Sequence, residues 1–339
     1  MSRSGLYRRA VLIVLLTLTL GNYVAAATLN PGDLVVADPD AFGLAGGIIR
    51  VDPTTGAQTV VSSGGIFADP TGVAIAANGD IVIVDRARRV VRVDPTTGTQ
   101  TIVSSGGRFV DPFRIAIDAN GDFLVADVGA RAIVRVDPTS GDQTIVSAGG
   151  SFISPIGLAI ASNGDILVTD PDAFGGSGGI IRVDPATGHQ TTVSSAGSFV
   201  SNVGIAVSAD GSILVADFDA FGGRPGGIIR VDPTTGSQTK VSSGGYFTAP
   251  VGLAIAANGD IIVANAAGGG PGASGIIRVD PATGGQTIVS VDGNFVAAFD
   301  VAIVPAAKDD CKDGGWSTFK FPRTFRNQGD CVQFMETGK

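Results

Sequence analysis

The stretch Arg92–Ser104 reads RVDPTTGTQTIVS, and its opening tetrapeptide decides the fold. RVDP occurs six times in the 339 residues of the chain, and successive copies lie between 42 and 48 residues apart. Each copy is surrounded by the same short apolar segments. The copies begin at Arg50, Arg92, Arg135, Arg182, Arg230 and Arg278. A period of this length with strand-like content predicts an array of repeated β units.

The composition favours strands and turns over helices. Glycine accounts for 50 residues, and Glu336 is the only glutamate among 31 acidic residues. Glutamate and lysine, which favour helices, are scarce, whereas the β-branched residues that favour strands are abundant. We therefore expect one all-β domain. A net charge of −8 makes nucleic acid and anionic membranes poor candidate partners.

The copy between Pro70 and Gly107 shows how one unit is built. Asn78-Gly79 is typical of a two-residue hairpin turn, and Asp94–Gly98 supplies the proline and glycine of a tight turn. The apolar segments between these turns are Gly72–Ala76, Ile81–Asp85, Val90–Val93 and Gln100–Ser104. Four short strands joined by tight turns predict a four-stranded antiparallel meander, which is the blade of a β-propeller.

The order of the strand patterns predicts how the ring closes. The second-strand pattern occurs six times, and its first copy, Asp33–Asp38, has no first strand before it. The last first-strand pattern, Asp300–Ile303, has no second strand after it. We therefore expect a six-bladed propeller in which the C-terminal inner strand pairs with the N-terminal strand set. Such a closure removes an exposed sheet edge.

The repeat follows the pattern P-x-G-[VIL]-A-[IV], then N-G-D, then R-V-D-P-x-T-G, over about residues 33–305. This pattern resembles that of the NHL, streptogramin-lyase and gluconolactonase-like propellers. Asp85–Val90 and Asp127–Ala132 are most similar to NHL repeats. The resemblance implies a six-bladed propeller and leaves the activity open, because these propellers include enzymes, receptors and scaffolds.

The first 27 residues are typical of a secretory signal. Arg3, Arg8 and Arg9 precede the apolar run Ala10–Leu20, and Ala25–Ala27 offers a small-residue cleavage site. The apolar run is too short for a comfortable transmembrane helix. We therefore expect an exported protein, secreted or held at the cell surface, that does not insert into the membrane once the signal is removed.

The rest of the chain divides into a predicted propeller, residues 28–306, and a small C-terminal module, residues 307–339. Both cysteines of the chain, Cys311 and Cys331, lie in this module. In an exported protein, a pair so close in sequence predicts a disulfide. We expect a monomeric propeller with a disulfide-closed tail.

An aspartate ends the predicted second strand in five of the six copies, at the face of a propeller that usually holds the ligand. These residues are Asp38, Asp85, Asp127, Asp170 and Asp217, and Asn265 takes the sixth position. A ring of carboxylates offers the oxygen ligands that Ca²⁺ prefers, which makes Ca²⁺ the candidate cofactor. The alternative, which a repeated residue favours, is that each aspartate accepts backbone N–H groups of its own loop.

Three of the loops that follow share the motif Asp-x-Asp-Ala-Phe-Gly. Its phenylalanines are Phe42, Phe174 and Phe221. Two aspartates spaced by one residue could share a Ca²⁺ ion with backbone carbonyls, although no bidentate glutamate follows them. The phenylalanine is expected to pack the loop onto the blade.

The departures from the repeat are the candidate ligand contacts. The first strand opens on glycine in four copies but on Arg114 and Asp300 in the other two, beside the expected axis. Arginines outside RVDP gather in one sector, which contains Arg86, Arg88, Arg89, Arg108 and Arg131. Because guanidinium groups bind carboxylates and sulfates, this sector predicts an anionic small molecule, saccharide or peptide. Tyr246 is a further candidate contact, and salt bridges to nearby aspartates are the alternative role for the arginines.

Catalytic side chains are scarce. The only histidine, His189, lies in a predicted outer turn, and the only glutamate, Glu336, lies in the tail. The resemblance implies a histidine base for a streptogramin lyase and a glutamate-held metal for a lactonase, and neither matches the expected mouth. We therefore predict a non-enzymatic binding module with its ligand site on the upper central face. A metal-assisted lyase or lactone hydrolase, for example through Asp300, is the alternative.

Overall fold

The chain folds into a ring of six antiparallel sheets. The structure, a computed structural model, describes residues 28–266, 274–306 and 326–328. Within these residues, 24 strands form six sheets of four strands each. The prediction of an all-β, six-bladed propeller with four-stranded antiparallel blades is confirmed. The predicted signal, Cys311, Cys331 and nearly all of the C-terminal module lie outside the described residues.

Blades are numbered along the chain. Blade 1 contains β1 (Leu34–Asp38), β2 (Gly47–Val51), β3 (Gln58–Ser63) and β24 (Asp300–Ile303). Blade 2 contains β4 (Pro70–Ile75), β5 (Ile81–Asp85), β6 (Arg89–Val93) and β7 (Gln100–Ser105). Blade 3 contains β8 (Pro112–Ile117), β9 (Phe123–Asp127), β10 (Ala132–Val136) and β11 (Gln143–Ala148).

The other three blades repeat the same order. Blade 4 contains β12 (Gly157–Ile160), β13 (Ile166–Asp170), β14 (Gly179–Val183) and β15 (Gln190–Ser195). Blade 5 contains β16 (Asn202–Val207), β17 (Ile213–Asp217), β18 (Gly227–Val231) and β19 (Gln238–Ser243). Blade 6 contains β20 (Pro250–Ile255), β21 (Ile261–Asn265), β22 (Gly275–Val279) and β23 (Gln286–Val291). Two single helical turns, α1 (Ala41–Leu44) and α2 (Ala173–Gly176), lie between the second and third strands of blades 1 and 4.

The innermost strand of blade 1 comes from the far end of the propeller sequence. Its strand order is β24–β1–β2–β3, and Ile303 of β24 pairs with Leu34 of β1. In the other blades the innermost strand is simply the first in sequence, and these inner strands contact one another around the axis. β24 contacts the inner strands of both neighbouring blades, β4 and β20.

Both sets of loops that concern function lie at one end of the ring, which we call the upper face. It is the end where the second strand of each blade finishes. The loops between second and third strands (2–3 loops) start there, and the loops that enter the next blade (connecting loops) pass beside them. No helix in the described residues has the length and apolar character needed to cross a membrane.

Apolar cores lie between neighbouring blades. Between blades 1 and 2, for example, Val35 and Ile48 pack with Ile83 and Val91. Each of the six cores also receives one phenylalanine from a connecting loop, and these are Phe67, Phe109, Phe152, Phe199, Phe247 and Phe295. All six are at most 7% exposed, so each contributes about 2–3 kcal/mol of hydrophobic stabilisation to holding two blades together.

The turns agree with those predicted from the sequence, except that the turn after the first strand has a different length. In the RVDP turn, Asp94 Oδ1 accepts the N–H groups of Thr96 and Thr97, both at 2.8 Å, so the predicted turn role is confirmed. The turn after the first strand is one residue longer than the predicted hairpin. Ala76 N–H donates to the carbonyl of Asp80, which leaves residues 77–79 in the loop. Gly79 takes a φ of 88°, as the left-handed position of a three-residue turn requires.

Candidate functional site

The ring aspartates join the two kinds of upper loop. All five are fully buried. In blade 5, Asp217 accepts the N–H groups of Val200 at 2.8 Å and Ser201 at 3.0 Å from the connecting loop. It also accepts the N–H of Asp219, at 3.0 Å, from its own 2–3 loop. The alternative interpretation of these residues, as acceptors of backbone N–H groups, therefore has direct contacts to support it.

The electrostatics of the ring are those of buried, hydrogen-bonded acids. Burial raises the pKa of Asp38, Asp170 and Asp217 above the usual aspartate value, and the N–H bonds oppose that rise. Among the described residues, no group of three or more His, Cys, Asp or Glu side chains is arranged to hold a metal ion. The Ca²⁺ interpretation of the ring and of the Asp-x-Asp motif stays a prediction.

Arg114 and Asp300 meet at the axis, although they belong to blades 3 and 1. Arg114 Nη1 lies 3.4 Å from Asp300 Oδ2, and the two residues are only 4% and 8% exposed. The guanidinium also donates to the carbonyls of Thr71 and Phe299, the latter at 2.9 Å. In blade 2, between these two blades, a β-carbon on Gly72 would sit 3.0 Å from Arg114 Cα, so this glycine lets the inner strands of blades 2 and 3 pack backbone on backbone.

The pair lines a small axial cavity of about 80 Å³. The other side chains around it are apolar and come from Val73, Ile115, Leu158, Ile205, Leu253 and Val301. Burial raises the pKa of Asp300, and the charge of Arg114 opposes that rise; burial likewise lowers the pKa of Arg114. The structure thus brings the two predicted residues together with their polar groups bonded to protein. Their predicted role in orienting a ligand stays a prediction.

The arginine sector is divided between paired and unpaired side chains. Arg86 donates to both carboxylate oxygens of Asp111, at 2.8 and 3.0 Å, and Arg89 lies 3.4 Å from Asp85. Salt bridging, the alternative role, is therefore observed for these two. Arg88 instead donates from Nε to the carbonyl of Phe109 at 2.6 Å and has no carboxylate partner among the described residues. The side chain of Arg131 has no ion pair within that same part of the chain.

Arg88 and Arg131 share an unusual backbone conformation. Each directly precedes the third strand of its blade, and their φ angles are 66° and 51°. Blades 1, 4 and 5 place glycine at this position, as Gly46, Gly178 and Gly226. A residue with a β-carbon costs about 1 kcal/mol more than glycine in the left-handed region. Blades 2 and 3 therefore carry arginine where the backbone favours glycine.

The three Asp-x-Asp-Ala-Phe-Gly loops present their phenylalanines in the same strained way. Phe42, Phe174 and Phe221 have φ angles of 56°, 57° and 61°. Each ring rests on a glycine that opens the third strand: a β-carbon on Gly47 would lie 2.3 Å from the ring of Phe42. The expected packing onto the blade is therefore present, yet 36–38% of each phenylalanine remains exposed. The left-handed backbone gives no signal in the sequence.

Tyr246 and His189 lie away from the axis. Tyr246 is 52% exposed, and its N–H donates at 2.7 Å to the side chain of Gln286, which opens the outermost strand of blade 6. It does not line the axial cavity. His189 is exposed in the turn before β15, the outermost strand of blade 4. Glu336 lies outside the described residues.

Comparisons with known proteins identify the fold through structure alone. No protein-family model matches the sequence, and no curated protein matches it. Many solved structures do match, among them a chain from the crystal structure of a nidogen/laminin complex. That chain is 13% identical, with a TM-score of 0.67, and the alignment covers 80% of this protein and 98% of the nidogen/laminin chain. At this identity the likeness shows the propeller fold and no more.

Proposed function

We propose that this protein is an exported, monomeric interaction module that binds a protein or peptide partner on its upper face without catalysing a reaction. One observation carries the proposal: most of the exposed large hydrophobic side chains lie in the upper loops. They are Phe42, Leu44, Val110, Ile153, Phe174, Val200, Phe221 and Val296. An apolar group of this kind, edged by charged residues, is typical of a surface that binds another protein.

Two further facts support this function over an enzymatic one. The only histidine, His189, lies at the perimeter, so it cannot act as a base at the upper face. One of the matching solved structures comes from a nidogen/laminin complex, which accords with a propeller that binds a protein. The repeat pattern supports a relationship to the NHL-like propellers, which we also propose.

Peptide and glycan panels presented to the immobilised full chain test the proposal. Replacing Phe174 and Phe221 by asparagine, which tolerates the left-handed backbone, should weaken peptide binding about tenfold or more. Tyr246→Ser is the matched control, because it removes an exposed aromatic ring from the perimeter. Binding that responds only to Tyr246→Ser would overturn the proposed face. Metal-dependent turnover of a lactone that is lost in Asp300→Ala would overturn the non-enzymatic reading.

A further inference from the structure

The 2–3 loops of the upper face differ in chemistry from blade to blade. In ring order, blades 5 and 4 carry Phe221 and Phe174, blades 3 and 2 carry Arg131 and Arg88, and blade 1 carries Phe42. Contacts between the inner strands establish this order, since each blade touches the next. Across the face, therefore, two blades whose loops expose phenylalanine are followed by two whose loops expose arginine and then by a third phenylalanine blade, and each phenylalanine loop also carries an aspartate, Asp40, Asp172 or Asp219.

Each phenylalanine has an exposed aliphatic partner beside it. In blade 4, Asp170 accepts the N–H of Ile153 at 2.7 Å and the N–H of Ala173, next to Phe174, at 2.9 Å. One buried carboxylate thus holds Ile153 and Phe174 in adjoining loops. Ile153 is 40% exposed, so the two side chains together offer an apolar contact. Blades 5 and 1 repeat the arrangement with Val200 and Val296, each 50% exposed.

The basic blades carry charge that the protein does not neutralise. Arg86 and Arg89 have aspartate partners, but Arg88 and Arg131 have none among the described residues. Both unpaired arginines occupy the left-handed position that is glycine in blades 1, 4 and 5. Strained residues persist where a function depends on them, and an unpaired surface guanidinium binds carboxylates well.

We propose that the partner is an extended segment of another protein whose acidic side chains are flanked by apolar ones. The acidic residues would contact Arg88 and Arg131, and the apolar residues would contact the phenylalanines on either side. This inference rests on the proposed function and adds to it the chemistry of the partner. Charge complementarity favours an acidic partner segment over a basic one, because a basic segment would be repelled by the guanidinium groups of Arg88 and Arg131, which have no carboxylate partner among the described residues.

The variant Arg88→Gly/Arg131→Gly tests the proposal. It gives blades 2 and 3 the residue that blades 1, 4 and 5 carry at the same position, which relieves the left-handed strain but loses the bond from Arg88 Nε to the carbonyl of Phe109. Its melting temperature should therefore stay close to that of the wild type. The matched control is Arg108→Ser, which removes another exposed arginine. The backbone N–H of Arg108 donates at 2.6 Å to the side chain of Gln143, which lies in the outermost strand of blade 3. The control removes one positive charge away from the 2–3 loops.

The experiment is a selection of random dodecapeptides on the immobilised full chain, followed by titration of the enriched peptides. We expect enriched sequences with Asp or Glu between aromatic or aliphatic residues. Their affinity should fall about tenfold or more in Arg88→Gly/Arg131→Gly and remain unchanged in Arg108→Ser. It should weaken as NaCl rises in the wild type and in Arg108→Ser, which both keep Arg88 and Arg131, and much less in the double glycine variant.

The outcomes separate the two proposals. Enriched peptides that lack acidic residues, or that bind the double glycine variant as well as the wild type, would overturn this inference. If those peptides still lose affinity in the Phe174→Asn/Phe221→Asn variant, the proposed upper-face function survives. Binding of a sulfated saccharide but no peptide would overturn the partner class in both proposals, and no binding by any probe would overturn both entirely.

Discussion

Asp217 and Asn265 occupy the same position in neighbouring blades, and both accept two N–H groups of their connecting loops. They differ elsewhere, because Asp217 also accepts the N–H of Asp219 whereas Asn265 donates from Nδ2 to Thr248 Oγ1 at 2.9 Å. Asn265 Oδ1 accepts the N–H groups of Thr248 and Ala249 at 2.9 and 3.1 Å, as Asp217 does for its own connecting loop. An amide oxygen therefore suffices to accept the two N–H groups of the connecting loop, and the negative charge is not essential to these bonds. This natural exchange provides a test of what the aspartate ring is for.

Asp217→Ala should destabilise the protein by about 2–4 kcal/mol, because it leaves buried N–H groups without an acceptor. Asp217→Asn should cost less, about 1–2 kcal/mol, because the amide keeps one acceptor oxygen but turns the other acceptor into a donor, which has no hydroxyl partner like Thr248 here. Urea unfolding of both variants measures the difference. If Ca²⁺ raises the melting temperature of the wild type but not of Asp217→Asn, the ring binds metal and the structural explanation is insufficient.

Arg114→Met should destabilise the protein by about 3–5 kcal/mol at pH 7, because Asp300 is left charged and buried without its partner. Burial already raises the pKa of Asp300, and removing Arg114 raises it further. An acid whose pKa is raised in the folded state costs stability as the pH rises through that pKa. The deficit should therefore shrink as the pH falls towards 4.

The double variant Arg114→Met/Asp300→Asn provides the control for that pH dependence. With no ionisable group at the pair, its stability relative to the wild type should not recover in the same way at low pH. Urea unfolding at pH 4 and pH 7 compares the three proteins. An equal deficit for Arg114→Met at both pH values would show that Asp300 does not carry the effect.

At the level of the strand, glycine sets how closely the inner strands of neighbouring blades approach one another. A β-carbon on Gly204, in β16, would lie 2.3 Å from the carbonyl oxygen of Val251 in the next inner strand. Gly157 is equally close to the carbonyl of Val203. These glycines serve neither a turn nor a left-handed backbone; they allow backbone to pack on backbone.

Gly204→Ala should therefore cost about 1–3 kcal/mol through overpacking. Gly285→Ala is the matched control, because its nearest contact would be Thr283 Oγ1 at 3.2 Å in an outer turn, where a surface substitution changes stability by about 0.5 kcal/mol at most. Thermal unfolding of the two variants makes the comparison. Equal melting temperatures would mean that the inner strands separate easily to accept a methyl group.

The strands were predictable because their apolar residues repeat, and the errors have local causes. The first strand of blade 2 starts at Pro70 instead of the predicted Gly72, because an irregularity between these residues lets Pro70 pair with Asp85. The phenylalanines that enter the cores between blades could also be predicted from the sequence. The residue pattern around Phe109, Gly-Gly-x-Phe, recurs with small changes in every copy.

The candidate site was predictable only in part. Arg114 and Asp300 were visible as departures from the repeat, but their contact spans two blades and requires the closed ring. Tyr246 was predicted only as a further candidate contact. The bond from its N–H to Gln286 places it towards the outer strands, and its role as a ligand contact stays a prediction. The strain at Phe174 and Arg131 is a backbone property that residue type does not reveal.

For the molecule as a whole, β24 should be essential although it has only 4 residues. Removing residues 299–339 deletes it and exposes the inner edge of β1, which should remove most of a typical stability of about 5–15 kcal/mol. Removing residues 307–339 keeps every strand that the structure describes between residues 28 and 306 and is the control. Circular dichroism melts of both truncations measure the effect, and similar melting temperatures would show that the ring holds without its last strand.

The placement of Asp300 on β24 gives the axial ion pair a meaning for assembly. A ring of near-identical units invites error, because any inner strand could in principle pair beside β1. Among the described residues, only Asp300 of β24 pairs with Arg114, which would otherwise stay buried against the carbonyl of Thr71 with no counter-charge. A ring closed without β24 at this place would therefore leave Arg114 buried and uncompensated, and that cost in free energy disfavours wrong closure.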